Sequence, residues 1–464
     1  MPKKVFVLFP DGVGLRNFAL TNFKEVGEQQ GIDVWYWNNT SFTVKDRLGY
    51  NEVLIEDKSQ HPLTAVYSRV RKRAELNVWT KQFNDVVYQL YKFPFSYKGL
   101  KNTFRSGLTK TLIGLKSSEK GVESVRERIK RLERSTSKYT YCKQQLQEHQ
   151  PKMVLCTSQR ATQAIAPLLA AKDLGIPTAT FIYSWDNVPK AMLVVETDFY
   201  YVWSEHMKAE LLQYYPFIKE EQITVTGTPQ FEPHYDSSLV LPREEFFKQH
   251  GLDTEKRYIC YSGDDETTSP LDQYYVEDLA LAVRELNKEG YNLGIIYRKC
   301  PVDFTDRYDA ILERYKDVVV PIAPIWTQIG KNWNEIAPSK EDFKMLINVC
   351  EHTELVTNVC SSTVFDFAVH NKPCVYYNYE QPQLKKGIRD IGQNYHYVHF
   401  RSMPSKDAVV WALHKEALKD KVKAILDKKV NPTKETQQWY DVIVGTTPTK
   451  ACENIWKAVG SKIN

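Results

Sequence analysis

No window of this 464-residue chain approaches an unbroken apolar run of the about 18 residues that would read as a membrane-spanning helix. The amino-terminal MPKKVFVLFPDG lacks the long apolar core of a signal peptide, and its run VFVLF has the length of a strand. The eight cysteines, at 142, 156, 260, 300, 350, 360, 374 and 452, include no C-x-x-C pair, and no close pair of histidines accompanies them. A zinc site is therefore not expected. Several cysteines sit inside apolar runs, LCTS and YICYS, as free buried thiols would, which suits a reducing compartment. The expected setting is the cytoplasm, with contact to a membrane from its inner side left open.

Other absences narrow the chemistry. There is no GxxxxGK[ST] phosphate loop and no Asp-x-Asp pair, and the single GxG, Gly12 to Gly14, meets Asn17 where a dinucleotide fingerprint has its third glycine. A diphosphate ligand would then be neutralised by N–H groups, hydroxyls and Arg or Lys, with no metal expected. The net charge of +5 is too small over this length to argue for nucleic acid.

What is present is a repeated rhythm of short apolar strand, loop and amphipathic helix. KKVFVLFP is followed by DGVGLRN and a helix expected over 17–30, then by IDVWYWNN; PKMVLCTS, IPTATFIYS, FYYVWS and QITVTGTP continue the series. Near-continuous apolar strands alternating with helices predict a parallel sheet covered on both faces. Past Pro233 the chain turns polar (HYDSSLVLPREE), and the rhythm restarts with KRYICYSGDD, YNLGIIYRKCP, KDVVVPIA, HTELVTNV and KPCVYYNY. The expected organisation is α/β with two Rossmann-like domains facing across a cleft: 1–238, with a basic helical insertion at about 92–150; 239–432; and helices over 433–464, capped by Thr433 and crossing back to the first domain.

From Lys98 to Lys138 there are twelve Lys or Arg against four Glu, a net +8. Val122, Val125, Ile129 and Leu132 form one helical stripe within it, so one reading is a solvated helix with one face on the core. The other, strengthened by the aromatic FPFSYKGL just before, is contact of 92–138 with an anionic membrane.

Polar residues at strand ends are the candidate site. In VCSSTVFDFAVHNKP, Ser361, Ser362 and Thr363 stand between a strand and a helix. One hydroxyl suffices to cap a helix; three in a row at a place that favours anions point to phosphate. Asp366, one turn in, is placed to meet a ribose hydroxyl or to support the first helical turn. In YSGDDETTSP, Gly263 permits a tight turn, Thr267 and Thr268 precede a long helix, and Pro270 suits its first turn. Arg298 and Lys299 end the strand IIYRKCP, either as cations for a diphosphate or as a surface pair. In the first half, Asp11 precedes the two glycines, Asp186 follows Ser184 and Trp185, and His206 begins a helix after YVWS.

Two α/β units joined near VTGTPQFE, the RK-bearing strand end and SSTVFDFAVHNKPCVYYNY together resemble the GT-B glycosyltransferases. The second half is similar to the bacterial group that includes the CDP-glycerol glycerophosphotransferases, whose Ser-Ser-x-x-x-Asp-x-x-x-x-x-Lys-Pro element is matched by Ser361, Ser362, Asp366, Lys372 and Pro373. YVWSEHMKAELL with ITVTGTPQFE resembles that group and the UDP-N-acetylglucosamine 2-epimerases; PDGVGLRNF and SWDN resemble bacterial surface-polysaccharide glycosyltransferases. Two departures stand out. Arg298-Lys299-Cys300-Pro301 occupies the place where the glycerophosphotransferases usually show a histidine, and Asp264 to Thr268 the place where the epimerases carry His-Arg-Arg-Glu-Asn. The resemblance implies sugar transfer from a nucleotide-sugar donor, held by the second domain, to a cell-surface glycan or lipid-linked acceptor. Asp11, Asp186 and His206, in that order, are the candidate bases. The alternatives are polyol-phosphate transfer, sugar-nucleotide epimerisation and a non-catalytic glycan-binding scaffold.

Overall fold

The computed structural model describes residues 3–95, 97–328, 336–384 and 390–463. The first half builds a seven-stranded sheet from β1 (Lys3–Phe9), β2 (Ile32–Asn38), β3 (Glu52–Leu54), β4 (Met153–Cys156), β5 (Thr178–Phe181), β6 (Phe199–Val202) and β7 (Ile223–Val225). Their order is β3-β2-β1-β4-β5-β6-β7, and every pairing is parallel. β1 lies inside the sheet, between β2 and β4, with Val5 to Phe9 fully buried, because helices cover both faces of a parallel sheet.

The second sheet takes β8 (Arg257–Ser262), β9 (Leu293–Arg298) and β10 (Val319–Pro321); a two-stranded ribbon, β11 (Thr327–Gln328) with β12 (Ile336–Ala337), intervenes; β13 (Val356–Asn358), β14 (Cys374–Tyr377) and β15 (Val410–Ala412) complete it. The order is β10-β9-β8-β13-β14-β15, again parallel throughout. In each sheet the chain winds outward from its first strand, then returns to wind the other way. The reversals fall between β1 and β4 and between β8 and β13. Such switch points leave a crevice at the carboxyl ends of the strands.

Three helix expectations are corrected. The helix expected over 17–30 is two, Leu15–Phe18 and Phe23–Gln29, because the Thr21 hydroxyl donates back to the Asn17 carbonyl and accepts from Phe23 N. The helix after β8 begins at Asp272, so Pro270 precedes it. Thr433 opens its helix from inside; Asn431 Oδ1 accepts from its N–H at 3.2 Å.

The carboxy-terminal helices fasten the two sheets. Trp439, on Thr433–Val444, lies 4.7 Å from the Phe365 ring and 5.8 Å from Trp185. Trp456, on Ala451–Gly460, stacks on Phe23 at 4.5 Å and donates to its carbonyl at 2.6 Å. Gly27 makes that docking possible: a Cβ there would stand 2.6 Å from the indole.

Between β3 and β4 run helices Thr64–Gln82, Leu100–Lys116, Glu119–Arg134 and Ser137–His149. Val122, Val125, Ile129 and Leu132 are buried, as the stripe predicts. Four of the segment's cations are engaged within the fold: Arg126 with Glu75, Lys130 with Glu127, Arg134 with Asp173, and Lys138 with Asn39. Ser96 and the Lys101 side chain lie outside the described residues.

Candidate active site

Both switch points carry the polar residues singled out in the sequence. At the second, Ser262 ends β8, and its hydroxyl is 3.1 Å from that of Thr363, which is 2.8 Å from that of Ser361. The cap is Ser361, whose Oγ accepts from Thr363 N at 3.3 Å. Ser362 is exposed and caps nothing. The turn is held in place: Cys360 adopts φ +48°, unusual without glycine, and its N–H donates to the Tyr395 hydroxyl, while Tyr376 donates to the Ser361 carbonyl.

Arg298 ends β9 beside Ser262. Its Nη2 donates to both oxygens of Asp342 at 2.9 Å, and its Nη1 is buried with no partner among the described residues. Asp342 also accepts from Ile325 N and Trp326 Nε1. Arg298 is thus anchored on one side with donor capacity remaining on the other. Lys299 turns away to the Thr305 carbonyl. Gly263 packs against β9, where a Cβ would meet the Tyr297 ring at 3.3 Å. Thr267 and Thr268 both spend their hydroxyls on Asp265.

At the first switch point, Asp11 is buried and its Oδ1 accepts from Val13 N at 3.2 Å, setting the glycine turn. A Cβ on Gly14 would stand 2.5 Å from Thr157 Oγ1, so the loops after β1 and β4 touch. Arg16 reaches across to the second domain, 3.7 Å from Asp366 Oδ1 and 5.0 Å from the Phe343 ring centre. Asp186, after β5, pairs with Lys190 and accepts from Asn187. Burial pushes its carboxyl up, but Lys190 and His399 outweigh this and hold it far below the usual carboxylate range. Half-buried Tyr183 shares this neighbourhood; desolvation raises its hydroxyl, and the charges of Arg16, Asp11, Arg160 and Asp186 all reach it. His206 stands apart on Glu205–Tyr214, its Nε2 3.7 Å from Glu210 Oε1, with burial pulling it down. Asp366 is a bridge between domains: its Oδ1 meets Arg16 and, at 3.1 Å, His234 Nε2.

Two buried groups carry no sequence signal. Glu210 Oε2 and His399 Nδ1 have no partners among the described residues. His399 stands edge-on to Trp185 at 4.7 Å, and Asp186 acts on both groups. They are unreadable in sequence because burial alone distinguishes them from ordinary surface residues. Burial, then the Asp186 charge, pushes the Glu210 carboxyl from 4.5 to about 8. Burial drags His399 from 6.5 down to about 3. The raised carboxyl stabilises the fold fully at low pH and loses that contribution as pH climbs to 8; the depressed imidazole does the reverse between 3 and 6.5. Of these two groups only Glu210 still titrates above 6.5, and its own contribution to stability is expected to fall by about 1.5 kcal/mol from pH 6.5 to 8. Denaturant titrations across that range check this: Glu210→Gln should flatten the decline, and an unchanged slope counts against the assignment.

Cavities of about 280 and 310 Å³ lie on the helical insertion, lined by Arg69 and Arg105 in one case and by Trp79 and Phe217 in the other, away from both switch points. The crevice itself is crossed by Arg16 on Asp366 and by Trp185 against Phe365 at 5.2 Å.

No protein-family model matches the sequence, and no curated protein matches it. Among solved structures, the chain is similar to a putative UDP-N-acetylglucosamine 2-epimerase from Listeria monocytogenes (TM-score 0.55, 12% identity, covering 99% of this chain and 96% of that one). It is also similar to MnaA of S. aureus in a co-structure with UDP (0.53, 12%, 98% and 96%) and to a UDP-GlcNAc 2-epimerase from Methanocaldococcus jannaschii (0.52, 13%, 99% and 99%). What is shared at this identity is the fold. It is the expected GT-B type, with two Rossmann-like domains facing across a cleft.

Proposed function

We propose that this chain is a glycosyltransferase that moves a sugar from a nucleotide-sugar donor to a cell-surface glycan or lipid-linked acceptor, with no metal in the transfer step. The supporting observation is that candidate residues occupy both switch points, the places where open α/β sheets bind ligands. In the 239–432 domain, Ser361, Ser362 and Thr363 with Ser262 offer hydroxyls to the diphosphate, and Arg298 Nη1 offers charge. The 1–238 domain takes the acceptor beside Asp11, with Asp186 the next candidate base. Thr267, Thr268 and Lys299 would have to give up their present partners to join.

Thermal shift against UDP, CDP, GDP and CMP tests the reading. A nucleotide at a hundred times its dissociation constant adds about 2.7 kcal/mol of stability. The names of the structural relatives put UDP first. Product analysis with the matching sugar nucleotide then separates transfer from epimerisation. Silence from all four nucleotides would refute nucleotide binding and favour the scaffold reading.

Contact with the inner face of an anionic membrane is assigned to Leu100–Lys116 within the basic insertion. Leu100, Phe104 and Leu115 are 92, 76 and 73% exposed, with Arg105 and Lys110 also on the surface. Each large apolar side chain buried in lipid contributes about 1.5–3 kcal/mol. Phe104→Asp is therefore expected to weaken sedimentation with anionic vesicles by about tenfold or more. Equal binding of the variant, or equal binding of the parent to neutral vesicles, would overturn it.

A further inference from the structure

We infer that His234, Cys350 and His370 form a binding site for one zinc ion that pins the segment leaving the first sheet to the second domain. His234 lies in the turn Pro229–Tyr235 after β7, Cys350 in helix Lys340–His352, and His370 at the end of helix Thr363–Val369. Their ligand atoms all lie within 4.8 Å of one another, and His234 Nδ1 is 3.0 Å from His370 Nε2. His234 and Cys350 are buried.

The hydrogen bonds on the outer side of the two rings carry the argument. His234 Nε2 is 3.1 Å from Asp366 Oδ1, and His370 Nδ1 is 2.8 Å from Glu351 Oε2. A carboxylate only accepts, so each outer nitrogen holds its ring's hydrogen. In neutral imidazoles both inner nitrogens then present lone pairs to each other at 3.0 Å. That arrangement calls for a cation between them. A proton would also fill the gap, as an imidazolium balanced by Asp366 or Glu351, but it would leave the Cys350 sulfur out of the arrangement. A metal ion uses both lone pairs and the neighbouring sulfur at once.

The donor set selects the metal. Two imidazoles and a thiolate suit zinc, and magnesium or calcium would want oxygen. Tetrahedral zinc places two ring nitrogens about 3.3 Å apart and sulfur about 3.5 Å from each. The nitrogens already stand close to that spacing, and the Cys350 sulfur, within 4.8 Å of both, has to close in by up to about 1.3 Å. Both rings have the carboxylate partner that orients metal-bound histidines. The two charges of zinc, with that of Arg16 on Asp366, balance the thiolate, Asp366 and Glu351. On binding, the Cys350 S–H gives its proton to solvent as the S–Zn bond forms, with no change of oxidation state. The fourth position is left to water. The ion stands outside the proposed sugar transfer and is independent of it.

Cobalt(II) titration of the chelator-stripped, full-length protein tests the site. Expected are one equivalent bound, a thiolate-to-cobalt charge-transfer band in the near ultraviolet, intense tetrahedral visible bands, and displacement by zinc; metal binding to the stripped protein should release about one proton. Cys350→Ser should abolish the charge-transfer band, His370→Gln should weaken binding by about 10- to 100-fold or more, and Cys300→Ser should leave both intact. Absence of the band in the unaltered protein overturns the proposal whatever the variants do. So does a band that survives Cys350→Ser or is lost with Cys300→Ser.

Discussion

Asp11→Asn is expected to lower turnover by about 10²- to 10⁴-fold, the usual contribution of a positioned base, and to leave nucleotide affinity unchanged. The substitution isolates charge from structure. Asp11 sets the glycine turn by accepting from Val13 N, and an amide oxygen keeps that bond. What is lost is the ability to take the acceptor's hydroxyl proton. Asp11 ranks above Asp186 because Lys190 and His399 hold the Asp186 carboxyl so firmly ionised that it is a weak base. His206 ranks last, since its ionic neighbour among the described residues is Glu210. Initial rates at saturating donor check the expectation. A loss of less than about tenfold would move the role to Asp186; if Asp186→Asn and His206→Gln are also silent, catalysis by one of these bases is refuted.

Arg298→Ala is expected to act twice. Nucleotide affinity should fall by about 10- to 100-fold, the contribution of a charge-assisted hydrogen bond. Stability should fall by about 3 kcal/mol, because Asp342 is left as a buried charge without its cation. Calorimetric nucleotide titration and denaturant unfolding measure the two separately. Combining Arg298→Met with Asp342→Asn removes both charges; the amide oxygen still accepts from Ile325 N, and the bond from Trp326 Nε1 is given up. That pair should recover part of the stability and none of the affinity. Recovery of both would show that Arg298 serves the fold alone.

The difference between the readable and the hidden parts of this protein is one of range. The apolar runs VFVLF, MVLC, RYICYS and CVYY predict buried parallel strands because each strand's burial is written in its own side chains, and the structure places them in two sheets. β3, β15 and the β11–β12 ribbon, with two or three residues per strand, are not among the strands legible in the sequence. The Val122 to Leu132 stripe is legible for the same local reason. The internal use of Arg126, Arg134 and Lys138 is not, since Glu75, Asp173 and Asn39 come from other elements or from loops; the Lys130–Glu127 pair is i,i+3 on one helix and local.

By itself the sequence determined the strand rhythm, the two α/β units, the hydroxyl cluster at Ser361 to Thr363 and the cations at the end of β9, all set by neighbours a few residues apart. Only the tertiary structure decided which groups are committed and which retain capacity. Asp342 takes one side of Arg298, Asp265 takes both threonines, and Asp366 becomes a bridge to Arg16 and His234. The physical reason is that hydrogen-bond commitment, desolvation and the meeting of His234, Cys350 and His370 depend on distances across the fold, which chain spacing does not encode.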